Sequence, residues 1–179
     1  MRLECSKKSS IIIRSLVMND KIYTALNEQI KHEFYSSYLY LSIASYFDNI
    51  PLDGFAKWFR KQAEEEHEHG MKFYNYIIDR NLHVDLQPID KPPVKFNSIE
   101  EIFKLALEQE RKVTHLIYQI YELAVQEKDH ATHVFLQWFI TEQVEEEKNA
   151  QDNLDQIILI GDDKAALFVI DQNFQKKIS

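Results

Sequence analysis

Residues that bend or end helices are scarce in this chain of 179 residues, which contains three glycines and four prolines. Three of the prolines fall within residues 88–93, and residues 94–179 contain none. Leucine, glutamate, lysine and glutamine, which favour helices, are abundant instead. The chain is long enough for one domain with a substantial core and short for two. We therefore predict a single all-α domain built from a few long helices.

The chain also has a single cysteine, no long apolar run and no excess of positive charge. Cys5 is the only cysteine, which excludes an intrachain disulfide and favours a reducing, cytoplasmic location. No apolar run approaches the roughly 18 residues that a membrane span needs. The net charge is −8, from 21 basic and 29 acidic residues. We therefore expect neither a membrane nor a nucleic acid as partner, whereas an acidic surface suits the attraction of cations.

Apolar periodicity and helix-ending residues divide the chain into segments. Long helices are predicted over residues 20–48, 52–80, 98–127 and 130–160, and a short helix over residues 162–174. Asn19 is placed to cap the first helix, and Ser98 with Glu101 forms a capping-box pattern before the third. Gly161 is a plausible C-cap of the fourth.

The segment 81–97 contains three prolines and has no helical period, so it is predicted to be a long loop. The second helix would be about 43 Å long, and an extended segment of this length can reach about 56 Å. The loop can therefore cross the full length of a bundle and start the third helix parallel to the second. The predicted fold is a four-helix bundle with this long crossover and a short C-terminal fifth helix. We expect the apolar residues of that helix, Leu167, Ile170 and Phe174, at a subunit contact.

Residues 1–17 differ from the rest, because four basic residues and one acidic residue give them a net charge of +3 and leave −11 for the remainder. The apolar stretch 11–13 is too short for the core of a secretory signal. Met18, Asn19 and Asp20 look like a natural beginning, with an acidic residue in the first helical turn. We expect residues 1–17 to be a dispensable extension or a start-site artefact, and residues 18–179 to form the domain.

A layer of polar residues interrupts the inward stripe of each long helix at mid-length, where a bundle normally has only apolar side chains. The third helix is typical, because its stripe is apolar at every position except Glu110. Over the four helices the layer comprises Glu33, Glu66, His69, Glu110, Gln143 and Glu146.

A buried carboxylate that lacks a partner costs roughly several kcal/mol, and no lysine or arginine occupies the central positions of the stripes. Two divalent cations would roughly balance four carboxylates. The layer therefore predicts a metal site inside the bundle, with a hydrated polar layer as the alternative. Glu66 and His69 form an E-x-x-H pair whose side chains share one helix face. Oxygen ligands with one imidazole suit iron or manganese, and zinc is possible.

Four segments carry a resemblance to a known family. They are NEQIKHEFYSSYLYLS (27–42), AEEEHEHGMKFYNYI (63–77), LEQERKVT (107–114) and FLQWFITEQVEEE (135–147). Through them residues 18–175 resemble a ferritin of the bacterial non-haem type, and the ferritin-like bundle is a known home of carboxylate-bridged metal pairs.

The resemblance implies a ferroxidase centre with two iron positions. Glu33 and His69 would serve the first position, Glu110 the second, and Glu66 would bridge both. Gln143 would lie beside the second iron, as a ligand or as a hydrogen-bond partner. The implied reaction is the oxidation of Fe(II) by dioxygen or peroxide. The ferric product would then mineralise in the cavity of a hollow 24-subunit homo-oligomeric shell.

The resemblance also implies a third iron position and a redox-active tyrosine. The third position would be built from Glu146 with Glu65, Glu142 and Glu145. Tyr40 would donate an electron or hydrogen-bond a ligand, although a plain core aromatic is equally compatible with its place. The charge runs 64–66 and 145–147 are otherwise typical of solvated helix faces, and that interpretation is preferred for Glu64 and Glu147.

The chain differs from two related classes of ferritin at positions that bind metal or haem. Bacterioferritins repeat E-x-x-H on the last helix, where this chain has Gln143 and Glu146, and their haem-ligating methionine is replaced by His67. We therefore expect no haem and a less symmetric centre. His133 and Leu136 replace carboxylates that line a threefold channel in animal ferritins. The sequence therefore does not indicate the route by which iron enters the shell.

Two other functions compete with iron storage. One is a discrete di-iron oxidase or peroxide scavenger that builds no mineral, for which a fifth helix would be unnecessary. The other is a structural shell subunit that has lost its centre, but the chain holds all the principal ligands that the resemblance implies.

Overall fold

The computed structural model describes residues 18–176, and the predicted extension at residues 1–17 lies outside this range. Over residues 18–176 the chain forms five helices and no strand. They are α1 (Asp20–Phe47), α2 (Asp53–Asp79), α3 (Ile99–Gln126), α4 (His130–Ile160) and α5 (Lys164–Lys176). Each helix begins and ends within two residues of its predicted bounds. None of these five is long and apolar enough to cross a bilayer.

The helix ends are fixed by the residues that the sequence indicated. The Asn19 side chain accepts a hydrogen bond from the Lys21 backbone N–H at 2.8 Å. Ser98 Oγ accepts one from the Glu101 backbone N–H at 3.0 Å, while the Glu101 carboxylate accepts from the N–H of Asn97 at 2.6 Å. The bonds from Lys21 and Glu101 satisfy backbone donors that the first helical turn leaves unpaired, and the bond from Asn97 fixes the chain just before the N-cap.

The apolar core consists of two clusters with the polar layer between them. One cluster joins the start of α2 to the start of α3, through residues such as Phe59 and Phe103. The other joins the end of α2 to the end of α3, through residues such as Phe73 and Ile117. Because like ends meet, α2 and α3 run in the same direction, as the long crossover predicted. The all-α bundle with a crossover is confirmed.

The crossover is held along α1 by two hydrogen bonds. Asn27, near the start of α1, accepts a bond from the Asp85 N–H at 2.7 Å. Ser42, near the end of α1, donates to the Pro93 carbonyl oxygen at 2.6 Å. The loop therefore follows most of the length of the bundle, which brings the start of α3 back to the start of α2.

The short helix α5 packs against its own bundle, so the expectation that its apolar residues serve a subunit contact is wrong for Phe174. That ring is fully buried and contacts Phe55, Trp58 and Phe103. Leu167 and Ile170 are partly buried against the same cluster. The apolar stripes of the four long helices do not show that a fifth helix can pack on the core at the end of the bundle, and this is the reason for the error.

The Asp171 carboxylate of α5, which is 1% exposed, attaches this helix to the start of α2. It accepts a hydrogen bond from the Phe55 N–H at 2.9 Å, whereas Leu52, the N-cap residue of α2, makes no side-chain cap. A Cβ at Gly54 would lie 1.9 Å from the Asp171 carbonyl oxygen. The fifth helix thus supplies the cap that α2 lacks, and glycine leaves room for it.

Candidate metal centre

Three ligand atoms meet in the middle of the bundle. Glu33 on α1 and the Glu66–His69 pair on α2 offer a ligand atom each, all within 4.8 Å of one another. All three residues are buried, at 1%, 4% and 5% exposure respectively. Their meeting follows from local geometry, because residues three apart on α2 share a face and that face packs on α1.

The cluster is short of hydrogen-bond donors. Within residues 18–176, Glu33 Oε2 and Glu66 Oε2 are buried and have no hydrogen-bond partner. His69 Nδ1 lies 3.7 Å from Glu66 Oε2, too far for a good hydrogen bond. A buried polar atom without a partner costs about 1–3 kcal/mol. Two such oxygens beside an imidazole nitrogen form a set of ligand atoms that suits a divalent transition metal.

Glu110 on α3 lies close enough to this cluster for its charge to raise the pKa of Glu66. The Tyr40 hydroxyl donates a hydrogen bond to the Glu110 carboxylate. Gln143 on α4 donates to the same carboxylate at 3.4 Å and to Thr114 Oγ1 at 3.2 Å. The structure thus brings six of the predicted residues together in the bundle interior, because Glu110, held by Tyr40 and Gln143, lies beside the cluster of Glu33, Glu66 and His69.

The electrostatics of the site favour a bound cation. Burial, and then the charges of Glu110 and Glu33, raise the pKa of Glu66 well above its usual value. Burial raises the pKa of Glu33 to about 7, and burial also raises the pKa of Glu110. These carboxylates repel one another in a water-poor interior, and positive charge placed among them would relieve that repulsion.

His69 lies in an environment that keeps its imidazole neutral. Burial, and then the charge of Lys72, lower its pKa to about 4. The ring of Trp138 packs edge-on against it with centroids 5.4 Å apart, and Lys72 Nζ lies 4.2 Å from the centre of that indole. A neutral imidazole has a free lone pair, which is the form that binds metals.

A second acidic group lies beside the first. Burial and then the charges of Glu110 and Glu65 raise the pKa of Glu146 to about 8, with smaller contributions from Glu142 and Glu145. Burial and then Glu145 raise the pKa of Glu142. Glu146 is half-buried and Glu145 exposed. The four carboxylates of the predicted third position therefore lie close enough to influence one another.

The layer holds several buried polar residues that the sequence did not single out. Gln29, Ser36, Gln109 and Thr114 are all at most 7% exposed, and Gln109 donates to Ser36 Oγ at 2.9 Å. Ser37, which lies four residues after Glu33 and so continues the inward stripe of α1, is only half-buried, whereas its neighbour Ser36 is buried. An ideal helix drifts from a strict heptad spacing, so a residue beside the stripe can be the buried one.

Comparison with known proteins identifies the family. The model of the ferritin-like domain matches residues 23–160, and the chain belongs to the ferritin family. Curated relatives include bacterial non-haem ferritins from Staphylococcus aureus strain USA300 and from Staphylococcus epidermidis, 41% and 43% identical over 156 residues. Each alignment covers 87% of this chain and 94% of the relative.

Among solved structures, an open-pore ferritin from the hyperthermophilic archaeon Archaeoglobus fulgidus is 45% identical, with a TM-score of 0.87. The alignment covers 88% of this chain and 96% of that one. The chain is thus a ferritin of the non-haem type by its relatives and by its fold, and membership of this family supports a general role in iron storage.

Proposed function

We propose that this chain oxidises Fe(II) at a pair of iron positions inside each subunit and stores Fe(III) as mineral within a shell of about 24 copies. Iron is here substrate and cargo. The observation that carries the proposal is the cluster of Glu33, Glu66 and His69. Its ligand atoms are buried within 4.8 Å of one another, and two of its carboxylate oxygens lack a hydrogen-bond partner among the described residues.

The ligands divide between the two positions as follows. Glu33 and His69 would hold the first Fe(II), and Glu110 the second. Glu66 would bridge the two ions. This role is supported by the closeness of Glu66 to both Glu33 and Glu110, whose charges raise its pKa. Gln143 and Tyr40 would fix the carboxylate of Glu110, since both donate to it.

The ligand set favours oxidation because three carboxylates stabilise Fe(III) more than Fe(II) in an interior of low polarity. Two Fe(II) ions each give up one electron, and dioxygen takes up two electrons and two protons to form hydrogen peroxide. Peroxide can replace dioxygen as the oxidant, in which case it is reduced to water. We propose that Glu65, Glu142, Glu145 and Glu146 form a third iron position, because the charges of the first three and of Glu110 all act on Glu146.

The relatives support the shell, since the chain aligns with nearly the full length of proteins named ferritins. A discrete oxidase would form a smaller particle, so chromatography with light scattering distinguishes the two functions. The lone Cys5 supports a cytoplasmic location. We also expect that the protein binds no haem, because His67 stands where bacterioferritins have their haem-ligating methionine.

Rapid mixing of Fe(II) with the aerobic protein tests the proposed reaction. Glu66→Ala should abolish the fast oxidation phase while the particle size stays unchanged, because a ligand shared by both ions is lost. Glu64→Ala, which removes an exposed carboxylate from the same charge run, should retain the fast phase. A fast phase that survives in Glu66→Ala would refute the bridging role.

A further inference from the structure

The carboxylate of Glu33 is held by a residue that the proposed iron positions do not include. Gln29 lies four residues before Glu33 on α1, so both side chains project from the same face. It is 1% exposed, and a buried amide is tolerated only when it is hydrogen-bonded. Its Nε2 donates to Glu33 Oε1 at 2.9 Å.

The two oxygens of Glu33 are therefore unequal. Oε1 accepts the bond from Gln29, whereas Oε2 is buried and has no hydrogen-bond partner among residues 18–176. The bond from Gln29 occupies one of the two lone pairs of Oε1 and fixes the direction of the carboxylate, which makes Oε1 the poorer metal ligand of the two oxygens. With the bond kept, Oε2 is the oxygen whose lone pairs are free.

We propose that Gln29 is a positioning residue that makes Glu33 bind the first metal through one oxygen only. This deepens the proposed function and rests on it. A one-oxygen carboxylate leaves a coordination position of the first iron open to the oxidant. Amide partners of metal-binding carboxylates orient the ligand and commonly change affinity by about 10–100-fold when they are removed.

The chain contains a matched control for this role. Gln109 is also a buried glutamine, 6% exposed, but its Nε2 donates to the hydroxyl of Ser36 at 2.9 Å and not to a site carboxylate. Methionine has nearly the shape of glutamine and no donor. Gln29→Met and Gln109→Met therefore each remove one buried amide, and only the first frees a proposed ligand.

The experiment is an anaerobic titration of the full-length, metal-free protein with Co(II), followed by visible absorption. The intensity of the d–d bands falls as Co(II) passes from four or five ligands to six. Gln29→Met should weaken binding of the first Co(II) by about 10-fold and lower its molar absorption, because Glu33 can then bind through both oxygens. Gln109→Met should match the wild type in affinity and spectrum.

Three outcomes would overturn the inference or its basis. An unchanged affinity and spectrum in Gln29→Met, with normal binding by the wild type, would refute the role of Gln29 alone. Equal changes in both variants would assign the effect to core packing and refute it too. A wild type that binds no Co(II) would instead refute the proposed metal site. Gln29→Leu serves the same comparison if the methionine variant does not fold.

Discussion

Replacing Glu66 with glutamine should make the metal-free protein more stable and the metal-bound protein less so. Glu66 is 4% exposed, and its Oε2 has no hydrogen-bond partner within the described residues. Such an atom costs about 1–3 kcal/mol. Glutamine keeps the shape, carries no charge, and can donate to a neighbouring carboxylate. We therefore expect Glu66→Gln to gain about 1–3 kcal/mol of unfolding free energy in EDTA.

Metal should reverse this order. A cation present at about 100 times its dissociation constant stabilises the folded wild type by about 2.7 kcal/mol for each site. Glu66→Gln loses the proposed bridging ligand and should gain much less. The assay is denaturant unfolding followed by circular dichroism, in EDTA and in Co(II), at one subunit concentration because subunit association also contributes to stability.

Glu64→Gln provides the control, because the same substitution at an exposed position of α2 should leave both measurements unchanged. The reasoning would be refuted if Glu66→Gln were less stable than the wild type in EDTA. That result would mean that the buried carboxylate does not destabilise the metal-free protein. The reasoning would also be refuted if Co(II) stabilised the two proteins equally, since Glu66 would then not be a ligand of the cation.

Three further predictions concern stability. Asp129→Asn should lower the unfolding free energy by about 0.5–1 kcal/mol near neutral pH, because the Asp129 carboxylate accepts a hydrogen bond from Arg80 at 3.0 Å; thermal unfolding across pH checks this. Asp171→Ala should cost about 1–3 kcal/mol, since a buried N–H at the start of α2 loses its acceptor, and should make α5 sensitive to protease. Gly70→Ala should cost about 1 kcal/mol in denaturant unfolding, because its Cβ would lie 2.5 Å from the Phe34 ring, and this overpacking (about 1–3 kcal/mol) exceeds the gain of about 1 kcal/mol in helix propensity.

The pH dependence of the Asp129 effect has a definite sign. Burial alone would raise the pKa of Asp129, but hydrogen bonds from the Arg80 side chain and the Thr132 backbone lower it overall. A lowered pKa gives stability that is present above the unfolded value of about 3.9 and is lost as the pH falls through the folded value. The difference between wild type and Asp129→Asn should therefore shrink below about pH 4. A constant difference down to pH 3 would contradict the charge-based explanation.

The other two predictions also have controls. Asp163 accepts bonds from backbone N–H groups at the exposed start of α5, so Asp163→Ala should cost less than Asp171→Ala. An equal loss would mean that burial of the Asp171 acceptor is unimportant. For Gly70→Ala, an increase in stability would show that the Phe34 ring moves aside freely, and that helix propensity decides the sign.

Local signals in the sequence were enough to predict the bundle and the placement of its polar layer. Helix bounds depend on nearby residues, such as Asn19 and Ser98, whose side chains bond to backbone donors two or three residues away. The layer was visible because Glu110 interrupts an otherwise apolar stripe, and burying charge without compensation is costly.

Contacts between distant residues could not be predicted in this way. The acceptor of the Phe55 N–H is Asp171, 116 residues further along the chain, and the residues around this aspartate give no sign that it is buried. Ser36 is buried and its neighbour Ser37 is only half-buried, a difference that depends on a drift smaller than one helical step. Gln29 was not predicted as a site residue, because the sequence indicates Glu33 as a metal ligand but not which side chain donates a hydrogen bond to it.

The position of metal in a crystal grown anaerobically with Fe(II) tests the central claim most directly, because anomalous scattering locates iron independently of activity. The account predicts two iron peaks inside each bundle, one beside Glu33 and His69 and one beside Glu110, with Glu66 between them. Iron found only on the outer surface, with water or hydrocarbon filling the space between these four side chains, would contradict it.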